Sequence, residues 1–231
     1  MATRALVLVH DPAESRLHRI PGALIPALAR RDIEHDVASF VAGHGPEPGL
    51  DGYDLLVVMG AGKSVYDQSV PWIADELAFV GSAVERELPV LGICFGGQLL
   101  AQCLNGTVTR AARSEIGFTL VDSDDPDLIP CGPWMQFHAD SFTPPPAARE
   151  IARNAAGSQA FVVGRALGVQ FHPEITLDSF SSWTERWTAD GESLGNLDID
   201  ALRHEVAHHE RRSVSICDQL VGAFCARHLG R

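Results

Sequence analysis

The chain has 231 residues, of which 45% are hydrophobic and 21% charged, so it can bury one sizeable core without help from metal or disulfides. Its 30 acidic residues against 18 Lys and Arg leave a formal charge of −12, which repels phosphate backbones, offers no basic stripe and argues against a nucleic-acid partner. Cys94, Cys103, Cys131, Cys217 and Cys225 are odd in number and scattered, with no close C-x-x-C pair of the zinc or redox kind, which fits a reducing, cytoplasmic setting.

The opening MATRALVLVH has too short an apolar run and no small-residue cleavage pattern, so Arg4–His10 reads as a first strand rather than a signal peptide. No stretch approaches membrane-spanning length, and no membrane partner is expected. A helical pattern over Leu17–Arg30 follows, then strand Ile33–Phe40, strand Asp54–Met59, helix Pro71–Glu87 and strand Pro89–Ile93. This rhythm predicts parallel strands joined by crossover helices. The runs LLVVM and PVLGI lack in-and-out alternation, as central parallel strands covered on both faces should. Beyond residue 106 come shorter β-like pieces, Thr107–Arg110, Phe118–Val121, Trp134–Phe137, Gln159–Val163 and Leu167–Phe171, with Asp122–Asp127 and Pro144–Pro146 read as surface loops. Helical patterns over Thr176–Trp187 and Ile199–His228 close the chain. No repeat or linker divides it, so the expectation is one α/β domain over residues 1–231, three-layered, with a mostly parallel central sheet and a ligand site beyond the carboxyl ends of the strands.

The chemistry concentrates at Pro89-Val-Leu-Gly-Ile-Cys94-Phe-Gly-Gly-Gln98, where an apolar strand runs directly into a helical pattern with Cys at the junction. This is the G-x-nucleophile-x-G elbow with Cys in place of Ser. The sharp turn lifts the thiol above the sheet, the glycines leave room for neighbouring backbone, and the helix N-terminus stabilises negative charge on sulfur. The free N–H groups there, that of Phe95 above all, can donate to an oxyanion. A lone Cys in a turn is more often an inert packed residue; the two glycines and the strand-to-helix context favour the nucleophile. Its base is expected in Gly168-Val-Gln-Phe-His172-Pro-Glu174. His172 emerges at a strand end, Glu174 lies two residues on and on the same side, and Pro173 stops the strand. His172 then takes the thiol proton while Glu174 fixes its tautomer.

With Gly92, Cys94, Gly96, Gln98, His172, Pro173 and Glu174 in place, the sequence resembles the class I glutamine amidotransferases, whose hallmark is G-x-C-x-G-x-Q followed well downstream by a His-Pro-Glu strand end. Val58-Met-Gly-Ala-Gly-Lys-Ser-Val-Tyr-Asp67 resembles that family's oxyanion strand, and Glu115–Phe118 and Phe137–Phe142 its later landmarks; the likeness is greatest to free-standing members similar to the amidotransferase part of GMP synthase. The resemblance implies a flavodoxin-like fold, no cofactor and no metal. It further implies hydrolysis of the side-chain amide of glutamine, or of a γ-glutamyl compound, through a thioester on Cys94, releasing ammonia and glutamate. Gln98, Phe137 and His138 would line the substrate pocket, and the backbone N–H of Ala61 or Gly60 would be the second oxyanion donor. The chain departs from pattern here, with Gly60-Ala61-Gly62 where the family reads Gly-Gly-Pro, and an N–H donor survives a change to Ala only where the backbone angles admit a Cβ. Gly97 stands where many relatives carry His and Phe118 where Trp is common; both read as tolerable variations with room to reshape the pocket. With no room for a synthetase domain, ammonia acceptor chemistry is expected either on a separate synthetase subunit or not at all. Two alternatives stay open: a γ-glutamyl peptidase using the same residues, and a silent binding module.

Several weaker signals are set aside. Gly60-Ala-Gly-Lys-Ser64 lacks the first Gly of a P-loop, since Val57 stands there. His204-Glu205-Val-Ala-His208 matches H-E-x-x-H, yet Arg203 and His209 suggest a charged, solvated helix face and no third ligand is assignable. His138 is a second candidate base but has only Asp140 after it. Trp134, Trp183 and Trp187 read as packing residues.

Overall fold

A computed structural model describes residues 2–42, 46, 49–189 and 197–230; Met1 and Arg231, the expected limits of the domain, lie outside them. In chain order the elements are β1 (Thr3–Leu8), α1 (Glu14–Leu17), α2 (Leu24–Ala29), β2 (Ile33–Ala38), β3 (Leu55–Val58), α3 (Pro71–Glu85), β4 (Val90–Ile93) and α4 (Phe95–Cys103). They continue with β5 (Thr107–Thr119), β6 (Asp122–Ser123), β7 (Trp134–Thr143), β8 (Arg149–Asn154), β9 (Gly157–Val163), β10 (Ala166–Val169), α5 (Leu177–Ala189) and α6 (Ile199–Leu229). The main sheet runs β2-β1-β3-β4-β10-β9-β8-β6. Its first five strands are parallel and the last three antiparallel, which makes the sheet mostly parallel at its centre. Every residue of β3, β4 and β10 is buried, which is why those runs show no alternation.

Both faces of the sheet are covered. On one, Val7, Val57, Leu91, Ile93 and Val169 pack against Leu24 and Leu28 of α2 and Ile216, Leu220 and Phe224 of α6. On the other, Leu6, Leu8, Leu56, Val58 and Val90 meet Ile73 and Val80 of α3 and Leu99 and Leu100 of α4. Each large aliphatic side chain so buried contributes about 1.5–3 kcal/mol. A smaller cluster of Met135, Ile175, Phe180, Leu202 and Val206 ties α5 and α6 to β7. The long α6 starts with Asp198 accepting from the Ala201 N–H at 2.9 Å and ends at Gly230 with φ 70°, the polar N-cap and left-handed C-terminal cap expected of such a helix.

Several boundaries differ from the sequence expectation. The helical pattern over Leu17–Arg30 is broken into α1 and α2 by Pro21 and Gly22; Gly22 has φ 43° and no space for a Cβ, which would fall 2.2 Å from the Glu174 carbonyl oxygen. Thr107–Arg110 and Phe118–Val121 are not separate strands but lie in or adjoin one long β5, which pairs antiparallel with β7 across an irregularity between Arg110 and Glu115. The loop expected over Asp122–Asp127 contains β6, recruited by the β8 edge at Asp122↔Arg153. β8 itself has an irregular register against β9, which blurs the period-2 signal a sequence would show.

Candidate active site

Cys94 stands between β4 and α4 at φ 52°, ψ −108°, a conformation that costs a residue with a Cβ on the order of 1–3 kcal/mol and persists only where its surroundings impose it. The surroundings do so tightly. The Cys94 N–H donates to Val169 O at 2.8 Å, and its carbonyl accepts the first helical N–H, that of Gln98, at 2.9 Å. A Cβ on Gly92 would lie 2.5 Å from Gly96 O, and one on Gly96 would lie 2.1 Å from Val58 O. Both glycines are therefore required by contact rather than by dihedral angle. Gly97 is of the same kind: its Cβ would fall 2.5 Å from Val169 O, so its small size lets α4 seat on β10.

The sulfur is 3.8 Å from the Gln170 Nε2 and 4.0 Å from the Phe137 carbonyl oxygen. Across from it is His172. β10 ends at Val169, two residues earlier than expected, and His172 is held instead by its N–H donating to Met135 O at 2.8 Å. His172 Nδ1 donates to Glu174 Oε1 at 2.8 Å, with both side chains at most 5% exposed. The imidazole pKa is raised to about 10: burial pulls it down, but the charges of Glu174 and Cys94, and hydrogen bonds to both, more than offset that. The imidazole thus lies between the Cys94 sulfur and the Glu174 carboxylate, in surroundings that favour its protonated form. Glu174 Oε2 is buried without a hydrogen-bond partner among the described residues, which leaves His172 as the hydrogen-bonded partner of that carboxylate there. The Glu174 backbone is fixed from below by Ala23, whose N–H donates to its carbonyl at 2.9 Å.

A cavity of about 580 Å³ opens over these groups, lined among others by Gly60, Ala61, Gln98, Phe137, His138 and Trp183. It lies beyond the carboxyl ends of β3, β4 and β10, as ligand sites in such sheets do. Gly60 is confined: a Cβ would sit 2.8 Å from His172 Cε1 and 3.6 Å from Cys94 Cβ. Ala61 has no positive φ, so its conformation admits the side chain, and the substitution in the expected Gly-Gly-Pro loop leaves the Ala61 N–H in place. Nothing lies within 4 Å of a Cβ on Gly62. Phe95, first residue of α4, is placed so that its N–H is one of the helix's unpaired terminal donors.

The remaining candidates line the cavity but are occupied on their inner side. Gln98 Nε2 donates to Asp140 O at 3.0 Å and Gln170 Oε1 at 3.2 Å. His138 is held by Asp140 O at 2.9 Å and, on its other nitrogen, by Glu115 at 3.1 Å and Gln136 at 3.2 Å. These partners tie His138 into the β5–β7 ribbon. Burial works against charge on Glu115, but His138, Asn154 and Gln159 together hold its pKa below the ordinary value. The Phe137 ring stacks on Trp187 at 4.9 Å.

Sequence reading missed three features. Gln170, next to a recognised motif, reaches the sulfur only because β10 lies beside β4. Trp183 and Trp187 pack against the Met135–Phe180 cluster as expected but are also cavity wall, with Trp183 edge-on to His172 at 4.7 Å; Trp134 packs in the core, on Phe171 at 4.4 Å. His10 and Glu76, distant in sequence and in no motif, meet beside Gly60. His204, Glu205 and His208 lie exposed on α6, and no cluster of three metal-ligating side chains is found among the described residues.

A sequence profile for glutamine amidotransferase class-I matches residues 24–187. The chain belongs to that family. A class I glutamine amidotransferase of this kind is 40% identical over 129 residues to the GMP synthase [glutamine-hydrolyzing] of Thermus thermophilus, covering 52% of this chain and 24% of that protein. It is 32% identical over 174 residues to the same-named protein of Mycobacterium marinum, covering 65% and 31%. The amidotransferase chain therefore matches about a quarter to a third of the length of these relatives. Among solved structures, a glutamine amidotransferase from Thermotoga maritima superposes with a TM-score of 0.84 at 25% identity, covering 97% of this chain and 98% of that one. A glutamine amido transferase from Methylobacillus flagellatus shares the fold, with a TM-score of 0.81 at 20% identity over 97% and 94% of the two chains. Among the described residues, no helix of this amidotransferase is long and apolar enough to cross a membrane.

Proposed function

We propose that residues 1–231 act as one amidotransferase domain that hydrolyses the side-chain amide of glutamine, with Cys94 as nucleophile, His172 as proton carrier and Glu174 as the group that orients it. The observation that carries the reading is the buried line from the Cys94 sulfur through His172 to Glu174, closed by a 2.8 Å hydrogen bond, on the floor of the cavity. The thiolate attacks the amide carbon, and the oxyanion so formed takes hydrogen bonds from the N–H groups of Phe95 and Ala61. As the carbon–nitrogen bond breaks, His172 gives its proton to the leaving nitrogen; ammonia departs and a γ-glutamyl thioester remains on Cys94. Water then attacks the thioester, passing a proton to His172, and collapse expels the Cys94 thiolate and glutamate. Gln98, whose Nε2 is committed to Asp140 and Gln170, offers its Oε1 to the substrate's ammonium, while Phe137 and His138 wall the pocket.

The relatives named as glutamine-hydrolyzing GMP synthases extend well beyond the matched span, which supports a synthetase as the user of the ammonia; a separate synthetase subunit and a cytoplasmic setting belong to the proposal. The test is glutamate release from L-glutamine and from γ-glutamyl peptides, with Cys94→Ala as control. Cys94-dependent release from glutamine supports this reading; release from peptides alone makes the protein a γ-glutamyl peptidase; no release from either, with and without a synthetase subunit, rejects turnover.

A further inference from the structure

We infer that His10 and Glu76 form a clamp that sets the Gly60–Ala61 peptide so that the Ala61 N–H faces the reacting carbonyl; this rests on the oxyanion role proposed for Ala61. His10 follows β1 and Glu76 lies in α3, with 3% and 0% of their surfaces exposed. His10 Nδ1 is 2.9 Å from Gly60 O, and its Nε2 is 2.9 and 3.0 Å from the two carboxylate oxygens of Glu76. A carbonyl oxygen only accepts, so Nδ1 carries a hydrogen and donates it to Gly60; Nε2 shares a proton with the carboxylate. The ring is further fixed by Trp72, stacked at 5.1 Å, and by the edge-on ring of Phe95 at 5.0 Å.

The consequence follows from amide planarity. In a trans peptide the C=O of one residue and the N–H of the next point to opposite sides of one rigid plane. Holding Gly60 O on His10 therefore turns the Ala61 N–H the other way. Gly60 needs this restraint because, lacking a Cβ, its backbone rotates more freely than that of any other residue. A rotated peptide would present a carbonyl oxygen to the developing oxyanion and repel it. His10 reaches the cavity wall and Glu76 does not, but both ring nitrogens of His10 are taken up by Gly60 and Glu76, so the pair are positioning residues in this scheme. His10 also lies outside the 24–187 span of the family match, and neither residue belongs to a motif of the sequence.

The pair should be replaced as a unit, because removing one partner strands the other in the core. In the full chain, His10→Phe with Glu76→Met keeps the stacking on Trp72 and removes the charge with its partner; His10→Gln, whose amide can still donate to Gly60 O, is the conservative variant. Three readouts are compared: kcat and KM for glutamine, the rate of Cys94 alkylation by iodoacetamide, and the Gly60–Ala61 peptide orientation in a crystal structure of the double variant. Alkylation needs the thiolate but no oxyanion hole. The expected result is a kcat lower by roughly 10²-fold, the scale of losing one oxyanion donor, with KM and alkylation rate little changed, a rotated or mixed peptide, and partial recovery in His10→Gln. An unchanged kcat, a parallel fall in alkylation, or a peptide still in its original orientation overturns the clamp. If the unmodified protein proves inactive on glutamine, the functional reading fails separately, and the peptide orientation alone still decides whether His10 and Glu76 hold it.

Discussion

Two glycines of one loop should respond oppositely to the same methyl group. Neither Gly60 nor Gly62 has a positive φ, so Ala meets no backbone strain at either. At Gly60 the new Cβ would lie 2.8 Å from His172 Cε1, about 0.6 Å inside ordinary contact, which begins at 3.4 Å. The imidazole cannot yield freely, because Glu174 holds one side and Trp183 stands edge-on to the ring, so the ring is pushed off its line to Cys94. Misplacing a reacting group by 1 Å costs about 10²-fold, so a shift of about 0.6 Å predicts a fall in kcat of about 10- to 30-fold for Gly60→Ala. Overpacking also destabilises by about 1–3 kcal/mol, partly offset by the about 0.4–1 kcal/mol gained from a stiffer unfolded chain. At Gly62 only the gain applies, since nothing lies within 4 Å; Gly62→Ala should be stabilised by about 0.4–1 kcal/mol with activity intact. Glutamate release and urea unfolding on both variants decide the matter. Full activity in Gly60→Ala, or an equal loss in Gly62→Ala, would refute the contact argument.

Folding raises the His172 pKa from 6.5 to about 10, so the folded protein holds this proton more tightly than the unfolded chain. That contribution to stability is complete below pH 6.5, declines as pH rises and is lost once it passes about 10; the urea midpoint should fall more steeply over this window in the unmodified protein than in His172→Gln, and equal slopes would count against the ion pair. Glu174→Gln should lower kcat less than His172→Ala, because orienting a proton carrier contributes less than being one; steady-state kinetics showing the reverse order would exchange their roles. Gln170→Leu leaves the Gln98 Nε2 short of one acceptor and should cost about 1–3 kcal/mol on chemical denaturation, while a midpoint within error of the unmodified protein would mean that water replaces the lost bond.

The elbow at Cys94 and the His172–Glu174 pair were legible because each is announced locally. Cys94 sits where an apolar strand meets a helix between glycines, and the structure gives those glycines a steric reason, backbone oxygens 2.1–2.5 Å from any Cβ. Strand identity was readable at β1, β3 and β4, whose residues are selected by burial on two faces. Irregular pairing hid β8 and β6, and the close approach of Gly22 to the Glu174 carbonyl oxygen could not be seen in a helical pattern that continues on both sides of it.

By itself the sequence determined the layered α/β class, the elbow at Cys94 and the His172–Glu174 pair, since periodicity, turn chemistry and short-range spacing are local properties. Their surroundings come from chain packing. Gln170 at the sulfur, Trp183 over the imidazole, and His10 with Glu76 behind Gly60 come from separate elements, brought together by the parallel order β1-β3-β4-β10 and by α3 and α5 packed beside it. Such contacts depend on which strands are neighbours and which side chains share a cavity, and no spacing along a single chain segment encodes that.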